Sequence, residues 1–197
     1  VVFHVLQIHH ALAAGAHALG QACQRHVVAE LFAPLRVGQG LRRLWFRLPD
    51  DDARLRVVQD DAARWVRDPA HRHSAQVLSV DLYDHDAAAP VLDDEDFYAA
   101  CRDVLDDAGL MTVNLFGRAS SFGRSAARVA RVFGSDQVWS LRPTREGNTV
   151  VVAARHVKVP GRDELSDRAA TIEQRFGLPA RKWLRMVRPL DLSVLED

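Results

Sequence analysis

The sequence has little cysteine, no excess of charge and no long apolar run, and each shortage excludes a class of protein. Cys23 and Cys101 are its only cysteines and form no CxxC motif, so we expect free thiols in a reducing, cytoplasmic compartment. No apolar run reaches the roughly 18 residues of a membrane span, and no charged start precedes an apolar stretch, so we expect neither a membrane helix nor a signal peptide. Basic and acidic residues number 26 each, so no net charge attracts nucleic acid.

Residues 1–49 lack asparagine, aspartate, serine and threonine, the polar residues that usually form turns and helix caps. They contain one acid, Glu30, and five arginines, which gives the segment a charge of +4. Residues 50–197 contain 25 acids against 21 lysines and arginines and carry −4. Five of the nine histidines also lie in the first segment, but their spacing fits no structural zinc pattern, and we expect no metal site.

From residue 50 onward, apolar strand-like runs alternate with helix-like segments. Strands are predicted over 55–58, 77–80, 110–115, 138–141 and 149–154, and helices over 61–67, 93–105, 125–133 and 163–176. Upstream, we predict a strand over 3–8 and a helix over the alanine-rich residues 11–32. The alternation predicts an α/β, Rossmann-like fold with a mostly parallel sheet, helices on both faces and a C-terminal antiparallel hairpin. Both a class I methyltransferase fold and a flavodoxin-like sheet fit this pattern.

Two groups of acidic residues follow predicted strands, at the positions where ligands bind in open α/β sheets. Asp60 and Asp61 follow one strand, and Asp81, Asp84 and Asp86 follow the next. The first pair could equally cap a helix, and the second group could be a solvated loop. Three acids within six residues also make a site for an organic cation such as a polyamine, and one of them could accept a proton from an ammonium group.

The stretch VLSVDLYDHDAAAPVLDDEDFYAACRDVLDDAGLMTVNLFG resembles the centre of the spermidine synthase-type polyamine aminopropyltransferases. That family has a strand ending in D-x-x-D, a loop with Pro and Leu, an acidic helix start with Phe-Tyr, a Leu-x-x-x-Gly turn and a strand ending in Asn. The matching residues are Asp81, Asp84, Pro90, Leu92, Phe97, Tyr98, Leu105, Gly109 and Asn114. The resemblance covers roughly residues 44–155, with VVQDDAARW upstream and PTREGNTVVVAA downstream, and implies the class I methyltransferase-like fold.

The resemblance implies a role for four residues. Asp81 matches the acid that deprotonates the attacking amine, and Asp84 matches the acid that binds the ammonium groups of the polyamine. Asp61 and the backbone of Ala62 match the pair that binds adenine. The implied reaction transfers an aminopropyl group from decarboxylated S-adenosylmethionine, a nucleoside-sulfonium co-substrate, to a diamine such as putrescine. It implies no further cofactor, no metal and no nucleic-acid or membrane partner, with a homodimer as one expected assembly.

The resemblance fails over residues 9–43. Where the family has a G-x-G-x-G turn after its first strand, this chain reads HHALAAG over residues 9–15, and these side chains would block close approach of the backbone to a nucleotide. We also expect no second strand ending in an acid, since Glu30 is the only acid available. The segment is either a diverged insertion or a stretch read out of frame from a GC-rich gene. The lack of an initiator Met and of the family's N-terminal β-domain suggests an incomplete N-terminus.

We therefore predict one aminopropyltransferase-like domain over residues 1–197. It has an atypical part, 1–43, a part that follows the family, 44–155, and a C-terminal helical extension, 156–197. The predicted function is aminopropyl transfer, impaired by the lost nucleotide-binding turn. Two alternatives stay open, a catalytically inactive remnant and a methyltransferase-like protein that uses S-adenosylmethionine for another purpose.

Overall fold

The computed structural model describes residues 2–5, 26–32, 50, 52, 55–83, 90–116, 119–144 and 147–190. The strands in these ranges are β1 (Val2–Val5), β2 (His26–Phe32), β3 (Leu55–Gln59), β4 (Ala75–Tyr83), β5 (Leu105–Phe116), β6 (Val138–Leu141), β7 (Asn148–Ala154) and β8 (Val187–Pro189). The helices are α1 (Ala62–Arg67), α2 (Glu95–Val104), α3 (Ala119–Phe133), α4 (Arg162–Phe176) and α5 (Ala180–Leu184). None of the helices in these ranges is long and apolar enough to cross a membrane.

All eight described strands form one mixed sheet in the order β3-β2-β1-β4-β5-β7-β6-β8. The pairs β2–β3 and β4–β5 are parallel, and β7 runs antiparallel to both β5 and β6. Strands β2 to β6 therefore all run in one direction, and the predicted mostly parallel sheet with an antiparallel β6–β7 hairpin is confirmed. The C-terminal extension contributes β8, which pairs with β6 and forms the sheet edge.

The N-terminal strands differ from the prediction in two ways. Residues 26–32, predicted as the end of a helix, form β2, because the β-branched pair Val27-Val28 finds strands to pair with on both sides. The rest of that predicted helix, 11–25, lies outside the described residues. β1 runs antiparallel to both β2 and β4. Its carboxyl end therefore lies at the end of the sheet where β2 and β4 begin.

The main core lies between one face of the sheet and helices α1, α2 and α3. On β4, the buried residues Leu78, Val80 and Leu82 face these helices, alternating with less buried residues at every second position. The face of α2 that contacts them comprises Phe97, Tyr98, Cys101 and Val104, all at most 1% exposed. These four positions recur at helical spacing, so they lie on one side of α2 and seat it on the sheet.

Candidate active site

Two polar pairs bridge β4 and β5 on the face opposite to the main core. Thr112 Oγ1 donates a hydrogen bond to Ser79 Oγ at 3.2 Å. Two residues further along, Asn114 Nδ2 donates to Asp81 Oδ1 at 3.0 Å. Both strands run in the same direction and keep their register through Val80 and Val113, so successive same-face residues meet across the pair. Asp81 is therefore held near the carboxyl end of β4, as predicted.

The contact with Asp81 provides a hydrogen-bond partner for only one of the two polar atoms of the Asn114 amide. Its amide nitrogen donates to the carboxylate, but its Oδ1 is buried and accepts no hydrogen bond from the described residues. The amide nitrogen thus holds one oxygen of the Asp81 carboxylate in a fixed position at the strand end. In the sequence, Asn114 belongs to the family pattern but has no predicted role. The sequence signal that indicates a role for Asn114 is its position near the end of β5, the neighbour of the strand that carries Asp81.

Asp61 caps the helix that follows β3. Its Oδ1 accepts a hydrogen bond from the backbone nitrogen of Arg64 at 2.9 Å, so the alternative of a helix cap is confirmed for this residue. Asp60 accepts from Arg64 Nε at 2.7 Å and from the backbone nitrogen of Asp61 at 2.7 Å. The side chain of Asp61 is exposed, whereas Ala62 is only 2% exposed and packs into the core. An exposed carboxylate beside a buried alanine leaves the adenine-binding role of this pair a prediction.

The two predicted sites, at Asp61 and at Asp81, lie at the same end of the sheet, where β3 and β4 have their carboxyl ends. Strands β3 and β4 run in the same direction and are separated by β2 and β1. Three steps of roughly 4.8 Å between neighbouring strands put their carboxyl ends about 14 Å apart. A ligand that contacts both Asp61 and Asp81 must therefore be longer than a single amine and close to the length of a nucleoside with a substituent. Asp84, the predicted polyamine ligand, lies outside the described residues.

The acidic start of α2 is held by structural contacts rather than left facing a ligand. Asp94 accepts from the backbone nitrogen of Asp96 at 3.0 Å and from Arg67 at 2.7 Å. Its neighbours Asp93 and Glu95 accept from Arg128 at 2.9 Å and from Arg131 at 2.8 Å, respectively. These contacts tie α2 to α1 and α3. Among the residues that the structure describes, no three histidine, cysteine or acidic side chains are grouped so as to hold a metal ion.

Glu30 occupies a second strand that the sequence did not predict. We expected no second strand ending in an acid; a second strand, β2, does exist, and it carries Glu30 two residues before its last residue, Phe32. The backbone register places Glu30 opposite His4 of β1, and His4 opposite Asp81 of β4. The three positions thus form one row across three neighbouring strands. This row joins the predicted catalytic acid to the only acid of the first 49 residues.

Comparison with known proteins agrees with the resemblance. The chain is 26% identical to a polyamine aminopropyltransferase of Neisseria meningitidis over 145 residues, which is 73% of this chain and 54% of that protein. The chain is therefore homologous to polyamine aminopropyltransferases. It spans about half the length of the curated aminopropyltransferases it matches. No family profile matches the chain.

Solved structures confirm the class I methyltransferase-like fold. A probable spermidine synthase from Corynebacterium glutamicum superposes with a TM-score of 0.53 at 20% identity, over 79% of this chain and 55% of the other. Human methyltransferase-like protein 13, in complex with SAH, gives a TM-score of 0.59 at 18% identity, over 77% of this chain and 68% of the other. The fold is thus common to aminopropyltransferases and methyltransferases, and only the site can separate the two activities.

Proposed function

We propose that this chain transfers the aminopropyl group of decarboxylated S-adenosylmethionine to a diamine such as putrescine. The observation that carries the proposal is the Asp81 carboxylate at the carboxyl end of β4, oriented by the Asn114 amide at 3.0 Å. Homology to polyamine aminopropyltransferases supports the same reaction. A methyltransferase of similar fold has no need of an acid pair such as Asp81 and Asp84 to bind and deprotonate a diamine.

In the proposed reaction, the neutral amine nitrogen attacks the carbon next to the sulfonium. A C–N bond forms, the C–S bond breaks, and its electron pair stays on sulfur, which gives methylthioadenosine. One proton goes to Asp81, either from the ammonium group of the diamine before attack, which frees its lone pair, or from the new secondary ammonium after attack, and Asp81 passes this proton to solvent. A sulfonium is already a good leaving group, so the protein mainly aligns the substrates and frees the lone pair of the amine. Asp84 would hold the distal ammonium of the diamine.

We expect the proposed site to bind the nucleotide less tightly than the amine. Asp61 and Ala62 would contact adenine, and Glu30 is the candidate for the acid that the family has at the end of its second strand. In the family, the nucleotide-binding turn follows the first strand. Here β1 is antiparallel to β4, so the carboxyl end of β1 lies at the opposite end of the sheet from that of β4. A turn that follows β1 therefore cannot lie beside Asp81. Each polar group of the nucleotide left without a partner costs about 1–3 kcal/mol, so we propose that two such losses lower the affinity about a hundredfold.

The direct test is turnover by the full chain supplied with decarboxylated S-adenosylmethionine and putrescine. We expect equal amounts of spermidine and methylthioadenosine, and a loss of about 10²–10⁴-fold in kcat for Asp81→Asn. The matched control is Asp107→Asn, which makes the same change on a side chain that is 95% exposed near the amino end of β5. Unchanged turnover in Asp81→Asn would remove this residue from the mechanism.

Calorimetric titrations separate the remaining alternatives. Binding of putrescine with weak binding of methylthioadenosine supports the impaired aminopropyltransferase, and Asp84→Asn should then weaken putrescine binding more than it lowers kcat. Binding of neither ligand supports an inactive remnant. Micromolar binding of methylthioadenosine would contradict the proposed damage to the nucleotide half. Binding of S-adenosylmethionine without putrescine would favour a methyltransferase-like role.

A further inference from the structure

A cavity of about 920 Å³ lies beside β8, the last strand in the sheet order, and cationic side chains line it. Its walls come from β8, from α4 and α5, and from the residue that follows β6. We call it the basic cavity and define it by its six cationic residues, Arg142, Arg162, Arg181, Lys182, Arg185 and Arg188. No acid is among the described residues that line it. Its volume lies within the range that is usual for small-molecule sites.

The fold holds the basic cavity together through backbone contacts. β8 pairs with β6, with Val187 opposite Leu141 and Arg188 opposite Ser140. The backbone nitrogen of Arg142 donates to the carbonyl oxygen of Met186 at 3.2 Å, which continues this pairing past the end of β6. Ordered strands thus bring Arg142 and Arg188 to the same rim.

Two of the six cations interact with an acid among the residues that the structure describes, and that acid is Glu173 in both cases. Arg181 donates from Nε to Glu173 of α4 at 2.5 Å, and its backbone nitrogen donates to the same carboxylate at 2.9 Å. Arg185 adds to the effect of Arg181 in lowering the pKa of this carboxylate, and the other four cations make no ion pair with any residue in the described part of the chain. Four positive charges without an acidic partner around one concavity repel each other, and a bound anion relieves that repulsion.

The basic cavity does not suit the substrates of the proposed reaction. A diamine and a nucleoside-sulfonium are cations, and the field of the four unpaired cations repels them. The cavity also lies far from Asp81, because β5, β7 and β6 separate β8 from β4. Four steps of roughly 4.8 Å between strands amount to about 19 Å. The basic cavity is therefore a second site, with a ligand of opposite charge.

We propose that the basic cavity binds a compact anion with at least two phosphate groups, such as a nucleoside diphosphate or triphosphate. The planar guanidinium group forms two parallel hydrogen bonds with phosphate oxygens, and five of the six cations are arginines. Half-buried Leu165, Leu184 and Met186 add apolar surface for an organic group attached to the phosphates. A half-open concavity favours a compact anion over an extended nucleic acid, which needs a basic surface that follows its backbone.

The test is calorimetric titration of the full chain with sodium tripolyphosphate and, separately, with ATP. We expect both to bind, several-fold more weakly when KCl is raised from about 50 to about 300 mM. Tighter binding of ATP that is lost in R142Q/R188Q means that the apolar residues contact the nucleoside, and equal affinities mean that the phosphate chain alone is recognised. The double variant R142Q/R188Q should bind tripolyphosphate at least tenfold more weakly. No substrate of the proposed transferase reaction is present, so failure of that function does not affect the result.

The matched control is R72Q/R124Q, which removes the same charge from two exposed arginines outside the basic cavity. It should bind tripolyphosphate within twofold of the wild type. If R142Q/R188Q does not fold, R142K/R188K keeps the charge, loses the paired hydrogen bonds and should still bind several-fold more weakly. The proposal is overturned by absence of tripolyphosphate binding at millimolar concentration, or by an equal loss in the control. Tighter binding of a twelve-residue thymidine oligonucleotide than of tripolyphosphate also overturns it, in favour of a nucleic-acid surface.

Discussion

Asn114 donates a hydrogen bond to Asp81 across two parallel strands, at 3.0 Å. The contact fixes the orientation of the Asp81 carboxylate near the carboxyl end of β4. It follows from register alone, because Val80 and Val113 are partners and these two residues come next on their strands. The reactive end of the proposed site is thus built from two strand ends rather than from a loop.

Replacing Asn114 by alanine should lower kcat for aminopropyl transfer by about 10- to 100-fold, because an unoriented carboxylate meets the amine less often in the productive geometry. The KM for the diamine should stay within threefold. The matched control is Thr112→Ala, which removes the neighbouring pair on the same face and should leave kcat unchanged. Equal losses in the two variants would mean that Asn114 acts only through the stability of the sheet.

Two substitutions at Asp61 separate helix capping from ligand binding. Asp61→Ser keeps a side-chain acceptor for the backbone nitrogen of Arg64, so the free energy of unfolding should change little. Asp61→Ala loses the cap and should cost about 0.5–2 kcal/mol in chemical denaturation. If the carboxylate binds adenine, both variants should weaken methylthioadenosine binding equally. Full binding by Asp61→Ser would assign this residue to capping alone.

Gly109 allows β5 to pass close to β4. A Cβ atom at this position would lie 2.8 Å from the Cβ of Leu105 and 3.0 Å from the carbonyl oxygen of Ala75. Gly109→Ala should therefore destabilise the protein by about 1–3 kcal/mol, measured by urea denaturation. Gly161→Ala is the control, since nothing lies within 4 Å of the point that a Cβ atom would occupy there and its φ is −61°. Gly161 is the N-cap residue of α4, where alanine is less favourable than glycine, so that variant should lose at most about 1 kcal/mol and less than Gly109→Ala.

Cys101 is a buried free thiol, and burial raises its pKa far above the ordinary value for cysteine. In a Cys23→Ser background it should react with a disulfide reagent at pH 8.5 only as fast as the protein unfolds. The unfolded thiol ionises above about pH 8.5 and the folded one does not, so the free energy of unfolding should fall as the pH rises from about 8 to about 10. Cys101→Ala in the same background removes this contribution, and an identical pH dependence in the two proteins would contradict it.

Much of the fold from residue 55 onward could be predicted because local signals agree with the tertiary contacts. The apolar runs around Leu78 and Val113 are buried strands, and the apolar residues of α2 recur at helical spacing. The helix cap at Asp61 could also be predicted as one of two alternatives, since an acid before a short helix-like segment is a common N-cap.

The N-terminal strands and the Asn114 contact could not be predicted in the same way. Residues 26–32 follow an alanine-rich stretch with few helix breakers, and only pairing with β1 and β3 makes them a strand. The direction of β1 has no local signature, because side chains alternate identically in parallel and antiparallel strands. The contact of Asn114 with Asp81 depends on a register between residues 33 positions apart in the sequence.

The position of β1 has a consequence for how the molecule opens. This strand joins β2 and β3 to β4 through only four register pairs, whereas β5 pairs with β7 through seven. Backbone amides in a short junction exchange through local opening, while those in a long, buried ladder exchange through global unfolding. In native-state hydrogen exchange, amides of β1 to β3 should therefore exchange faster than those of β4, β5 and β7. The part of the sheet that holds Glu30, which comprises β1 to β3, would then separate from Asp81 in partial unfolding events that leave the Asp81–Asn114 pair intact.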